Sequence, residues 1–172
     1  MVVPARGGLG RSVGTQANTL AAEIAGKLGG HHRLIHLPDQ MDEVAKQEML
    51  KLPEIREAVE LLERADIVLH GIGTAMKTMK DRHLPAADQR QLAENKAVGE
   101  SFGSYFDING NCLLESSSIG IGLAKLSPKC RMIAAAGGAE KAEAIISVMR
   151  RYPQTTLITD EGAAERILQI LE

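Results

Sequence analysis

Hydrophobic positions along the chain fall into two patterns, short continuous apolar runs and longer segments with helical spacing. The apolar runs predict strands at residues 2–5, 33–37, 65–70, 132–136 and 155–158. Apolar residues three and four positions apart predict helices at residues 15–28, 41–52, 53–64, 87–94, 140–150 and 161–171. Strands that alternate with helices require a mostly parallel sheet with helices on its faces, so the pattern predicts an α/β fold.

One segment interrupts this alternation. Residues 74–95 are polar and predict a loop followed by a short helix, and residues 97–115 then carry apolar runs on both sides of Asn109-Gly110. An Asn-Gly pair between apolar runs is typical of a β-hairpin. We therefore expect a small antiparallel excursion inside the parallel fold.

Glycine turns follow several predicted strands. They lie at residues 7–10, 71–73 and 137–138, and Thr159-Asp160 follows the last strand. Ligands of parallel sheets bind beyond the carboxyl ends of the strands, where glycine lets the backbone approach an anion closely and Arg6 offers a planar cationic fork. Glycine turns also join strands to helices without any ligand, and spacing alone leaves both interpretations open.

Composition and charge narrow the possible functions. The 172 residues fit one domain, and the net charge of −2 with scattered basic residues argues against a nucleic-acid-binding surface. Cys112 and Cys130 lack metal-ligand spacing, which predicts no metal and reduced thiols in a cytoplasmic protein. No membrane span or leader is expected, and a strand directly after Met1 indicates a piece of a longer protein.

Five sequence blocks, in the same order over essentially the whole chain, carry a resemblance to a known family. They are PARGGLG at 4–10 with QAN at 16–18, VLHGIG at 68–73, ESFG at 100–103, AAAGGAEKAEAI at 134–145, and LITDEGAA at 157–164. Together they resemble the effector domain of SorC-type transcriptional regulators.

The resemblance implies a fold and a function. The implied fold is Rossmann-like, a mostly parallel sheet with helices on both faces, similar to glucosamine-6-phosphate deaminase and ribose-5-phosphate isomerase. The implied function is that of a homo-oligomeric repressor of glycolytic genes that senses a sugar phosphate such as fructose 1,6-bisphosphate, without catalysis or a cofactor. The family's helix-turn-helix and its Gly-Gly-Thr-Thr loop are absent from this sequence, so we expect operator DNA contact only through a part outside it.

The same resemblance implies the ligand-binding residues. Arg6, Gly7 and Gly8 resemble a phosphate site, with Gln16 at the start of the neighbouring helix. Three further residues follow later in the chain: Lys141 resembles a lysine for the other phosphate, Arg82 a second phosphate arginine, and Glu100 a carboxylate that faces sugar hydroxyls.

Two alternatives stay open at this point. The first is an enzyme of the related isomerase and deaminase class, for which Glu100, Asp160 and His70 are the candidate acids and bases. The second is a fragment that serves only as an assembly surface. The sensor is favoured because no catalytic motif of those enzymes is recognisable.

Overall fold

A computed structural model describes residues 1–7, 14, 16–37, 41–115, 119–121 and 123–172. The chain divides into two compact units. The first comprises Met1–Asp66 with Ser116–Cys130, and the second comprises Ile67–Glu115 with Arg131–Glu172. Among the described residues, no helix combines the length and apolarity needed to cross a membrane.

The first unit contains one apolar cluster and three described α-helices. They are α1 (Ala17–Lys27), α2 (Glu43–Met49) and α3 (Pro53–Glu63). Asp42 caps the start of α2, where its carboxylate accepts a hydrogen bond from the Ala45 amide. Pro53 occupies the first turn of α3, a position that proline favours. Ile55, Ala58 and Leu62 of α3 pack against the buried Ile35 and Leu37.

The predicted strands of this unit differ from the structure. Val2 forms a single parallel bridge with His32, and no strand is assigned at residues 2–5 or 33–37. Pro4 has no N–H to donate to a ladder. The amide and carbonyl of Ile35 are instead bonded to the buried side chain of Asn18, at 3.0 and 2.9 Å. The extended segment is therefore fixed to α1 by a side chain.

The second unit holds the sheets. Its strands are β1 (Ile67–Gly71), β2 (Gly73–Thr74), β3 (Gly99–Ser101), β4 (Ser104–Phe106), β5 (Cys112–Glu115), β6 (Arg131–Ala135) and β7 (Thr156–Ile158). Its helices are α4 (Ala75–Asp81), α5 (Ala86–Glu94), α6 (Ala142–Arg151) and α7 (Glu161–Leu171).

The parallel sheet has the strand order β1-β6-β7. Ala134 at its centre packs with Ile145 and Val148 of α6 and Ala163 of α7 in one buried cluster. Every second position of a strand faces the same side, so this cluster covers one face of the sheet.

The antiparallel sheet has the order β2-β3-β4-β5 and confirms the predicted excursion. The Asn109-Gly110 hairpin joins β4 to β5, and a second hairpin turns from β3 to β4 through Phe102 and Gly103. α4, predicted as loop, buries Ala75 and Met79 under this sheet. The predicted α/β class is confirmed, with a three-stranded parallel sheet beside a small antiparallel one.

Candidate functional site

Three turns of the second unit meet at one edge of its parallel sheet. β1 leads into Gly71-Ile72-Gly73, β6 into Gly137-Gly138, and β7 into Thr159-Asp160. Because the three strands run in the same direction, their carboxyl ends share an edge, as the sequence predicts. β2 also contacts the 3₁₀ turn Ala139–Lys141. A strand end and the segment carrying Lys141 are therefore neighbours.

Glu100 is a buried carboxylate in the middle of β3 and is 5% exposed. It lies opposite Gly73 on β2 and Tyr105 on β4. β3 packs close to α6, since a Cβ on Gly99 would collide with Ser147 Oγ. A charge at such a position requires partners, because burial without them strongly disfavours the ionised form.

Two donors meet on one oxygen of Glu100. Its Oε1 accepts from the Gly103 amide at 2.7 Å and lies 3.2 Å from Arg82 Nη2. The other oxygen, Oε2, faces Gly73, where a Cβ would lie 3.5 Å from it and 2.5 Å from Thr78 Cγ2. Thr78 therefore fills the space that a side chain at position 73 would need, and the glycine permits this close packing.

Arg82 is positioned by the end of α4. His83 has a φ of +52°, its amide donates to the Lys80 carbonyl, and the Leu84 amide donates to the Met79 carbonyl. These two bonds form a Schellman motif, which ends a helix at a left-handed residue. Arg82 occupies the C-cap position of this motif, with its side chain one-third exposed.

The hairpin beyond Glu100 has an unusual turn residue. Phe102 and Gly103 have φ values of +54° and +85°, and a two-residue hairpin loop of this kind normally takes Asn or Gly at its first position. A bulky residue there is strained by about 1–2 kcal/mol. The Phe102 ring packs on the His70 ring with centroids 4.4 Å apart, which offsets part of that strain.

His70 is held on both sides of its ring. Nδ1 lies 2.9 Å from Ser101 Oγ, and Nε2 lies 2.9 Å from Gln154 Oε1. Nδ1 also lies 3.1 Å from the Gly71 carbonyl oxygen, so both ring nitrogens have partners within the second unit. These contacts fix the orientation of the ring at the end of β1.

Lys141 ends the 3₁₀ turn that follows Gly137-Gly138 and directly precedes α6. The Gly138 amide of this turn donates to Asp160 Oδ2 at 2.8 Å, while Asp160 Oδ1 accepts from Ala163 and caps α7. The Ala163 and Gly138 hydrogen bonds lower the pKa of Asp160 below its ordinary value. The anion already held at this glycine turn is therefore a side chain of the protein.

The remaining predicted residues belong to the first unit. Arg6 forms an antiparallel bridge with Gly120, and its Nε and Nη1 atoms are buried. A Cβ on Gly7 would lie 3.1 Å from Ile35 Cγ2, so this glycine is closely packed. Gln16 is the N-cap of α1, and Gly8 lies outside the described residues.

The structure thus brings two predicted residues, Arg82 and Glu100, into direct contact, and it sets Lys141 on a turn beside β2. Sequence reasoning did not identify the second donor to Glu100 or the role of Asp160 at Gly138. The signal for the first was the glycine three residues after Glu100. Among the described residues, no group of His, Cys, Asp and Glu side chains could hold a metal ion.

Comparison with known proteins gives a consistent family. The family model described as "Putative sugar-binding domain" matches residues 1–169. The central glycolytic genes regulator of Priestia megaterium is 41% identical over 169 residues, which cover 98% of this chain and 49% of that protein. The Bacillus subtilis protein of the same name is 38% identical over 98% of this chain and 50% of its own length. The chain spans about half the length of the curated relatives it matches.

Solved structures support the same assignment. A SorC family transcriptional regulator from Enterococcus faecalis is 40% identical, with a TM-score of 0.88 over 96% of this chain and 68% of that one. The full-length sorbitol operon regulator SorC from Klebsiella pneumoniae, 21% identical, shares the fold with a TM-score of 0.83 over 97% of this chain and 57% of its own. These relatives are transcriptional regulators and not enzymes, which removes the support for the isomerase or deaminase alternative. The match across residues 1–169 shows that the chain belongs to the sugar-binding domain family of SorC-type transcriptional regulators.

Proposed function

We propose that this chain is the effector-binding domain of a repressor of glycolytic genes and that it senses a phosphorylated sugar such as fructose 1,6-bisphosphate. The observation that carries the proposal is the buried Glu100 with the guanidinium of Arg82 3.2 Å from its Oε1. The similarity to two central glycolytic genes regulators supports a role in the regulation of glycolytic genes, and the family description supports a sugar ligand.

The chemistry of these side chains suits a sugar phosphate. An ionised carboxylate accepts hydrogen bonds from hydroxyl groups, and Arg82 can hold a phosphate with a planar pair of N–H donors. Lys141 adds a second cation on the neighbouring turn, and Arg6, Gly7, Gly8 and Gln16 of the first unit remain the predicted site for another phosphate. Within the second unit, a ligand with a phosphate and hydroxyls matches Glu100, Arg82 and Lys141 better than a neutral sugar does.

The regulatory setting is part of the same proposal. The curated relatives are about twice as long as this chain, and we place operator recognition in a part of the regulator outside these 172 residues. We further propose that the domain works as a homo-oligomer in the cytoplasm, where a bacterial repressor meets its DNA. Ligand binding here would then weaken the hold of the whole repressor on its operator.

A thermal-shift titration tests ligand binding directly. Fructose 1,6-bisphosphate, fructose 6-phosphate and inorganic phosphate are each added to the 172-residue chain. A ligand at a hundredfold its dissociation constant stabilises the folded state by about 2.7 kcal/mol. For a chain of this size, that corresponds to a rise in Tm of roughly 5–10 °C. A rise in Tm with a sugar phosphate that inorganic phosphate cannot match supports the proposal. An unchanged Tm with all three ligands contradicts it.

Variants then connect the binding to the predicted residues. Arg6→Ala and Lys141→Ala are each expected to weaken sugar phosphate binding by about 1.5–3 kcal/mol, the worth of a hydrogen bond to a charged group. Lys129→Ala, at an exposed lysine of the chain, is the matched control and should leave binding unchanged. Binding by all three variants at the parental affinity would remove both residues from the site.

A further inference from the structure

Asp160 joins two segments of the second unit through the two oxygens of one carboxylate. Oδ1 accepts from the Ala163 amide at 2.9 Å and Oδ2 from the Gly138 amide at 2.8 Å. The first bond is an ordinary helix N-cap. The second bond reaches across to the turn after β6.

Both glycines of that turn are explained by this carboxylate and by the backbone it holds. A Cβ on Gly137 would lie 2.5 Å from Asp160 Oδ2 and would displace it. Gly138 has a φ of +100°, a conformation that residues with a Cβ rarely adopt. Gly137 therefore leaves room for Asp160, and the Gly138 amide is already bonded to that carboxylate.

The same turn leads directly to Lys141. The Lys141 amide donates to the Gly138 carbonyl at 2.9 Å, so Gly138 is held at its N–H by Asp160 and at its C=O by Lys141. Because the 3₁₀ turn closes on this one residue, loss of the Asp160 bond would release the turn's starting point. The backbone from which the lysine side chain projects would then be less defined.

We propose that Asp160 is a positioning residue for effector binding, which fixes Lys141 for a phosphate group through the Gly138 peptide. The proposal rests on the proposed function, in which Lys141 contacts the ligand. It gives Asp160 a role beyond the start of α7 and makes the turn between β6 and α6 part of the binding apparatus.

A serine substitution separates the two tasks of Asp160. Serine is as good an N-cap as aspartate, and its single short hydroxyl cannot also reach the Gly138 amide. Asp42→Ser is the matched control, because Asp42 caps α2 through Ala45 and, within the described part of the chain, accepts no second amide with its side chain. Asp160→Asn is the second variant, with the shape of the side chain retained and its charge removed.

Isothermal titration of each variant with fructose 1,6-bisphosphate is the first measurement. We expect Asp160→Ser to bind about five- to tenfold more weakly than the parent, with the affinity of Asp42→Ser unchanged and similar urea midpoints for both serine variants. Lys141→Ala should then weaken binding less in the Asp160→Ser background than in the parent. Parental affinity in Asp160→Ser, or full additivity of the two substitutions, would overturn the proposal.

Hydrogen exchange keeps this proposal distinguishable from the proposed function. In the ligand-free protein, Asp160→Ser should speed exchange of the Gly138 and Lys141 amides at least tenfold and leave amides of α3 unchanged. Unchanged exchange at Gly138 and Lys141 rejects the positioning role whatever the ligand does. If Asp160→Ser speeds this exchange but the parent protein binds no sugar phosphate, the result supports the ordering of the turn by Asp160 and rejects the proposed function.

Discussion

At the scale of single residues, we expect the contacts of Glu100 to decide which ligands the proposed site accepts. Its Oε1 is ion-paired with Arg82 and accepts a hydrogen bond from the Gly103 amide, and its Oε2 lies beside Gly73. A phosphate that draws Arg82 away leaves a buried carboxylate with one donor fewer, which is costly. A sugar hydroxyl that donates to Glu100 at the same time offsets this cost. We therefore expect the pair to favour ligands that combine a phosphate with hydroxyl groups.

Glu100→Gln is expected to change the affinity for fructose 1,6-bisphosphate and the affinity for inorganic phosphate in opposite directions. The neutral amide is a poorer acceptor for sugar hydroxyls, so binding of fructose 1,6-bisphosphate should weaken about tenfold, within the range of a charged hydrogen bond. Inorganic phosphate should bind more tightly than to the parent, because Arg82 is no longer engaged by a carboxylate. Isothermal titration with both ligands measures the two effects.

The control for this substitution is Glu115→Gln, which makes the same chemical change at the exposed end of β5. It should bind both ligands as the parent protein does. A Glu100→Gln protein that loses affinity for both ligands would contradict the competition between Glu100 and phosphate for Arg82.

At the scale of elements, the sequence predicts those helices and strands whose formation depends on neighbouring residues in the chain. Residues 161–171 were predicted as a helix and form α7 with the same bounds, because Asp160 provides a cap and the apolar spacing is regular. The strand predicted at residues 33–37 is absent, since Asn18 takes both backbone groups of Ile35. That bond spans seventeen residues of sequence, and no local pattern predicts it.

The candidate site shows the same division. Glu100 and Lys141 lie in sequence blocks that resemble a family, and Arg82, outside those blocks, is predicted from the same resemblance. The contact between Arg82 and Glu100 depends instead on how α4 ends and how β3 pairs. The hairpin at Asn109-Gly110 was predicted from its turn residues. The turn at Phe102 was not, because phenylalanine has no preference for a left-handed conformation and is held there by its contact with His70.

Two glycine substitutions at this scale should have opposite signs. Gly110→Ala in the β4–β5 hairpin is expected to destabilise the protein by more than about 1 kcal/mol, since a left-handed φ is unfavourable for alanine. Its φ is +84°, and a Cβ there would lie 2.9 Å from the Arg151 amide nitrogen. Gly26→Ala in α1 meets nothing within 4 Å and should stabilise by about 0.5–1 kcal/mol through helix propensity.

Urea unfolding of the two variants and the parent measures both effects. The comparison is matched because each substitution adds one methyl group, so a general response to that group would move both midpoints in the same direction. Midpoints that shift together would show that backbone conformation does not decide these positions.

At the scale of the whole molecule, carboxylates that accept turn and cap amides tie stability to pH. Burial tends to raise the pKa of Asp107, but hydrogen bonds from the Asn111 side chain and from the amides of Asn111, Asn109 and Gly110 outweigh it and leave the pKa lowered. The pKa of Asp160 is lowered by its bonds to Ala163 and Gly138. Both groups therefore bind protons less readily in the folded chain than at the ordinary value of 3.8.

A folded-state pKa below the unfolded one means that the unfolded chain takes up protons first as the solution is acidified. The stabilisation from Asp107 and Asp160 is then complete above the ordinary pKa and is lost as pH falls through the lower folded values.

We expect the free energy of unfolding, measured by urea titration from about pH 6 to about pH 3, to decline below about pH 5. Asp107→Asn and Asp160→Asn should each flatten that decline, since asparagine does not titrate, whereas Asp66→Asn, at an exposed position before β1, should leave its slope unchanged. Parallel pH profiles for the parent and all three variants would mean that the hairpin loop and the start of α7 do not couple folding to protonation.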